Sequence, residues 1–151
     1  MRIRFPILRV VAKLLIPYIV LFALYVQFHG DYGPGGGFQA GVILAAAVIC
    51  YGLVFGLNSA RRVVPPAAVE VFIALGVLIF AGTGFVTMFL GGNFLDYEAL
   101  VHHVGQTADG HHLLPSGQHL GLFVVELGVG ICVAAVMISI FYAFAGRDQN
   151  A

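Results

Sequence analysis

Four stretches of this chain, roughly Ile7 to Phe28, Phe38 to Leu57, Ala67 to Leu90 and Gly117 to Phe144, run for 20 residues or more with at most two charges in each. A helix of about 20 mainly apolar residues crosses the hydrocarbon core of a bilayer. The expected fold is therefore all-α, an integral membrane protein of four transmembrane helices in a single membrane domain, residues 1–151. Composition agrees: 60% of the 151 residues are hydrophobic and 9% charged, against about a quarter charged in a soluble domain. With a formal net charge of zero and no run of Lys or Arg interleaved with aromatics, nucleic acid is excluded as a partner. Cys50 and Cys132 fall inside apolar runs, where a thiol acts as a small hydrophobe and supports no disulfide framework. The first run has no small-x-small cleavage site and leads straight into a glycine-rich segment, so it reads as a span rather than a signal peptide.

Orientation follows from the cations, because cytoplasmic flanks carry the excess of Lys and Arg. All seven sort to one side: Arg2, Arg4, Arg9 and Lys13 at the start, Arg61 and Arg62 in the second connection, Arg147 at the end. The first and third connections hold acids and all six histidines at their edges or within them. Both termini are thus expected in the cytoplasm, with the glycine segment and the histidine loop outside. Lys13 is expected to snorkel to the cytoplasmic interface. Pro65-Pro66 opens the third span, since the first turn of a helix needs no N–H there, and Glu70, one turn in, reads as an interfacial acid.

Lipid gives helices no hydrophobic reason to associate, so close packing relies on small residues. The second span has Gly37, Gly41 and Ala45 along one ridge and a Gly52–Gly56 pair; the fourth has Gly128, Cys132, Ala135, Ser139 and Ala143. These stripes suit packing within the chain or against other membrane subunits.

Between the first two spans lie five glycines within residues 29–37. The segment is no phosphate loop: a following Lys is absent, and Phe38 stands where a Gly-x-Gly-x-x-Gly pattern needs its last glycine. Pro34 fixes one φ while Gly35, Gly36 and Gly37 permit positive φ or close backbone approach. The segment is either a tight outer turn or a partly inserted one against a neighbour, since irregular backbone at membrane depth must be buried in protein or line water. His102-His103, His111-His112 and His119 follow no metal-ligand spacing and no cysteine joins them, so neither metal nor cofactor is expected; a solvated loop packing on a partner, or a pH-responsive one, fits them. No nucleophile, base and orienting group converge, and no enzyme is expected.

Glu126 is the sharpest polar signal. At 1.5 Å per residue from about His119 it lies roughly 10 Å into the membrane, where ionisable groups are costly and mark pathways or paired sites. Lys13 is at the opposite face. Thr83 and Thr87, one turn apart on the third span, reach a similar depth, and Ala45, Ala46 and Ala47 leave space there. Glu126 is thus a neutral acid bonded to a threonine, a proton or cation waypoint with Thr83 and Thr87, or the partner of a cation on another subunit.

The segment Gly33-Pro34-Gly35-Gly36-Gly37-Phe38-Gln39-Ala40-Gly41 before an Ala-rich helix, with Gly117-Gln118-His119-Leu120-Gly121 and Glu126-Leu127-Gly128-Val129-Gly130 in the last span, resembles the MnhB/MrpB-like subunits of the multisubunit Na+/H+ antiporters of the Mrp type. The likeness covers nearly the whole chain. It implies a non-catalytic subunit of a sodium/proton exchange complex in a prokaryotic cell membrane, with other membrane subunits as partners, Na+ and H+ as the ions moved, and the lipid bilayer around it. Pro34, Gly35, Gly36, Gly37, Phe38, Gly41 and His119 would then form a subunit contact or lining segment. Relatives of the family in membrane-bound hydrogenase complexes, and a stand-alone homo-oligomeric four-helix transporter, are the alternatives.

Overall fold

A computed structural model describes residues 6–30, 36–97 and 117–147, with the side chains of the last segment described from residue 121 onward. Four long helices carry the apolar runs: α1 (Pro6–His29), α2 (Gly37–Phe55), α4 (Pro66–Phe89) and α5 (Gly117–Ala145). Each contains a window apolar enough to cross a membrane. Among the described residues there is no strand. The second connection holds a short helix that the hydropathy pattern does not reveal, α3 (Leu57–Val63). Gly56 makes it possible: its φ of 96° ends α2 and redirects the chain, a conformation that costs glycine least. Pro66 then occupies the first turn of α4, as a residue lacking an N–H should.

The helices stand in an open row rather than a closed square. α5 lies between α2 and α4, α1 packs on α2, and α1 barely touches α5. Small residues make both inner crossings. An added Cβ on Gly41 of α2 would stand 2.6 Å from the Gly130 carbonyl oxygen of α5, and one on Gly76 of α4 would stand 2.6 Å from that of Gly128. The two stripes of small residues are thus used within the chain at these positions, the Gly37–Gly41 ridge against one side of α5 and Gly128–Cys132 against α4.

At one end the row closes over a core of Ala45, Leu57, Ala60, Val69, Ala135, Ile138 and Tyr142. The Tyr142 hydroxyl donates to the Val64 carbonyl at 2.9 Å, tying the α3–α4 link to α5. The basic residues gather here: the Arg61 guanidinium sits 5.8 Å from the Tyr142 ring centroid, and Lys13 Nζ 6.0 Å from that of Phe55 at the end of α2. Glu126 and Gly36 lie at the other end.

Candidate functional site

At 100° per residue, the positions of α5 divide into two faces. Gly128 and Cys132 face α4, where they meet Gly76 and Ile79; Glu126, Gly130, Val133 and Ala134 face α1 and α2. Glu126 therefore looks away from the third span. Its carboxylate lies against the glycine segment: an added Cβ would come 2.5 Å from Oε2 at Gly30 and 2.9 Å from Oε1 at Gly36, and at Gly37 would run into the Glu126 main-chain carbonyl. Phe28 of α1 and Phe123 of α5 stack beside it, centroids 5.6 Å apart.

Two features of the glycine segment matter to this contact. Gly36 has φ 132° and ψ −177°, a region almost closed to residues with a Cβ. It is also the N-cap of α2 and supplies no capping side chain, so the first N–H groups of α2 are without an intrahelical acceptor. A carboxylate placed there meets unclaimed donors and the positive end of the helix dipole. Glu126, reaching across from α5, occupies that position, and the lack of a side chain at Gly37 lets the two backbones meet.

The sequence-based partnership of Glu126 with Thr83 and Thr87 is replaced by this arrangement. Thr83 Oγ1 donates to the Phe80 carbonyl at 2.8 Å. Thr87, fully buried, donates to the Gly84 carbonyl at 2.8 Å and accepts the Leu95 N–H at 3.0 Å, so its hydroxyl anchors the chain leaving α4. The ring of Phe94 lies over Gly84 and that of Tyr97 over Gly121. Ala45 and Ala47 are buried deeper in the row, Ala45 in the core with Ala135, whereas Ala46 is exposed.

Of the other residues singled out in the sequence, Gly41 packs on Gly130, Val133 and Ala134, and Phe38 is 63% exposed, projecting from the first turn of α2. Pro34, Gly35, the loop histidines 102, 103, 111 and 112, and the His119 side chain lie outside the described residues. His29 stacks on Tyr25 at 5.3 Å between centroids. One residue that the sequence reading passes over belongs with the site: Gln27, 7% exposed on α1, whose Oε1 lies against Gly130. The only signal for it was an amide inside an apolar run, but its place near the end of that run reads equally well as interfacial.

Comparison with known proteins gives one family over nearly the whole chain. Residues 7–139 match the model of a domain related to the MnhB subunit of Na+/H+ antiporter. Antiporter subunit mnhB2 of Staphylococcus haemolyticus (strain JCSC1435) is 31% identical over 141 residues, covering 93% of this chain and 94% of its own length. The protein of the same name from Staphylococcus aureus (strain Newman) is 28% identical over 144 residues, with the same coverage of both chains.

Proposed function

Because this chain belongs to the MnhB family and is a subunit of a multisubunit antiporter, we propose that it serves that assembly as a non-catalytic membrane subunit in exchange of Na+ for H+. The single observation that carries this reading is the breadth of the match: the alignment with one relative covers 93% of this chain and 94% of that relative's own length, so the likeness takes in nearly all of the relative and not one segment of it. Antiporters are transporters rather than an enzyme class. The match favours this host over a hydrogenase-type complex or a stand-alone four-helix carrier. The bacterial sources of the relatives and the gathering of cations at one end support a prokaryotic cell membrane with both termini cytoplasmic.

Within that role we assign Glu126 as a waypoint for a proton or cation. An ionisable group inside a span, seated at a helix N-terminus and next to backbone of low steric demand, can bind and release charge without large rearrangement. Two measurements test this. Purified in gentle detergent, the tagged subunit co-elutes with several hydrophobic subunits; elution as a pure homo-oligomer overturns the assembly reading. Glu126→Gln keeps an acceptor oxygen for the α2 N-terminus and removes the ionisable proton, so the assembled variant exchanges Na+ for H+ at least tenfold more slowly or with a displaced pH profile. Assembled Glu126→Gln complex with unaltered rate and profile reduces Glu126 to a cap for α2.

A further inference from the structure

Two cavities lie along one face of α5. The larger, about 320 Å3, sits between α2, α4 and α5 and has Val48, Val64, Phe72 and Ile138 among its walls; the smaller, about 100 Å3, sits between α1, α2 and α5. Leu44 and Ile131 line both, so the two form one groove. Along α5 it follows Leu127, Ile131, Ala134 and Ile138, a spacing that keeps all four on one side of the helix. From the first to the last the rise is about 16 Å, close to half of the roughly 30 Å hydrocarbon core. The floor is tightly packed, with Val69, Ala134, Ala135 and Ile138 all buried, while Phe72 on the rim is 47% exposed. The groove is thus a half-open channel about one leaflet long.

We propose that this groove seats one acyl chain of a phospholipid whose net negative headgroup is held by Arg61 and Arg62. Hydrocarbon is what the walls accept, since they offer almost no polar surface. A membrane helix is excluded by size: it is 10–12 Å across with its side chains, whereas the larger cavity spreads its 320 Å3 over the roughly 10 Å of α5 from Ile131 to Ile138. A single chain fits that space. It gains little by leaving surrounding lipid that is equally apolar, so the groove fixes where the tail lies and the headgroup decides which lipid it is. The stripe on α5 continues one turn beyond Ile138 to Tyr142. There the Arg61 guanidinium sits 5.8 Å from the ring centroid, and the hydroxyl donates to the carbonyl of Val64, itself a groove wall. Arg62 follows on α3, exposed. Both arginines therefore stand where the groove reaches the basic end of the molecule. A guanidinium matches phosphate oxygens two at a time, and basic pockets between membrane helices bind anionic headgroups. Glu70 does not oppose this: at 100° per residue it is turned about 100° from Val69 and about 160° from Phe72, the two residues through which α4 meets the groove.

The inference needs only that the chain lies in a membrane, and it is independent of any part that Glu126 plays in exchange. The assembled complex is placed in phosphatidylcholine vesicles that carry a small share of phosphatidylglycerol with a photoactivatable group on its acyl chain, then illuminated, and the adducts are located by mass spectrometry. A second preparation uses the same group on phosphatidylcholine. At Val48, Phe72 and Ile131 the ratio of labelling by the two probes favours phosphatidylglycerol at least fivefold over the same ratio averaged across the other labelled positions of the complex. Arg61→Gln combined with Arg62→Gln removes that preference. Arg62→Gln alone, which leaves Arg61 on Tyr142, reduces it at least twofold and serves where the double variant does not assemble. Ile131→Phe fills the groove where its two parts join, and lowers labelling of Val48 and Phe72 by both probes. Equal ratios inside and outside the groove overturn the proposal, as does a preference that survives loss of the arginines. Labelling unchanged by Ile131→Phe overturns it too, and so do groove residues left unlabelled while other positions react, which would show that protein covers the groove.

Discussion

Gly36 and Thr87 show how single residues of this chain answer to backbone demands that only their neighbours reveal. Gly36 combines a φ of 132° with a Glu126 carboxylate oxygen 2.9 Å from where its Cβ would stand. Valine there meets both penalties, backbone strain of about 1–3 kcal/mol and a collision with Oε1. Gly36→Val is expected to lower the yield of assembled complex severalfold and to abolish exchange in what remains; normal yield and normal sodium-dependent proton exchange would reduce the segment to a permissive turn. Thr87 is the reverse case, a polar group buried without cost because its hydroxyl both donates and accepts. Thr87→Val keeps the shape and strands the Leu95 N–H, so it is expected to destabilise by about 1–3 kcal/mol, read as a lower thermal midpoint of the purified complex. The exchange activity of complex that remains folded is expected to be unchanged, since Thr87 is turned toward the α4 exit and away from Glu126.

Between elements, the contacts are made by absence of side chain. Gly76 of α4 rests on the Gly128 carbonyl and on Cys132 of α5, with an added Cβ only 2.6–2.8 Å from each of the three nearest atoms, whereas Gly82, six residues further along the same helix, has nothing within 4 Å of that position. Both are glycines in one apolar helix and have the same intrinsic helix propensity, which alone would favour alanine by about 1 kcal/mol at either. The structure separates them. Gly76→Ala must push α4 away from α5, two backbones that lipid provides no hydrophobic reason to keep together, and is expected to lower thermal stability. Gly82→Ala is expected to be neutral or slightly stabilising. Equal thermal midpoints for the two variants would contradict the α4–α5 crossing through Gly76 and Gly128.

For the molecule as a whole, the open row leaves broad apolar faces. Along α1, Ile7, Leu14, Tyr18, Leu21 and Phe28 are exposed, and along α4, Leu78, Phe85 and Phe89, as befits a protein whose solvent is lipid and other subunits. The polar residues divide by end, with Arg61, Lys13 and the Tyr142 tie at one and Glu126 with the α2 N-terminus at the other. By the positive-inside rule we propose that the basic end faces the cytoplasm. Cysteine at Asn58, exposed on α3, is expected to label only from the cytoplasmic side, and cysteine at Asp109 only from outside. Labelling of Asn58→Cys in intact cells by an impermeant reagent would invert the topology.

How much of this was legible in the sequence follows from the range of each force. The number of spans was readable because the cost of placing backbone and charge in hydrocarbon is paid residue by residue, and an apolar window reports it directly: four apolar runs and four long helices correspond, although the second run continues past the end of α2 to Leu57 of α3. The glycine-rich motif and the isolated Glu126 were visible for the same local reason, and the motif was enough to point to the family. Short α3 was not, because a single positive-φ glycine makes it and hydropathy does not register dihedral angles. Which face of α5 meets which helix was not legible either. In lipid every helix surface is similarly apolar, so the choice of neighbour rests on where small residues of two helices coincide, a property of the pair and not of either sequence. That choice put α4 on the Gly128 side and α2 on the Gly130 side, and so turned Glu126 from the threonines to the glycine segment and enclosed Gln27. Depth and charge were written along the chain; partnership was decided only when the helices packed.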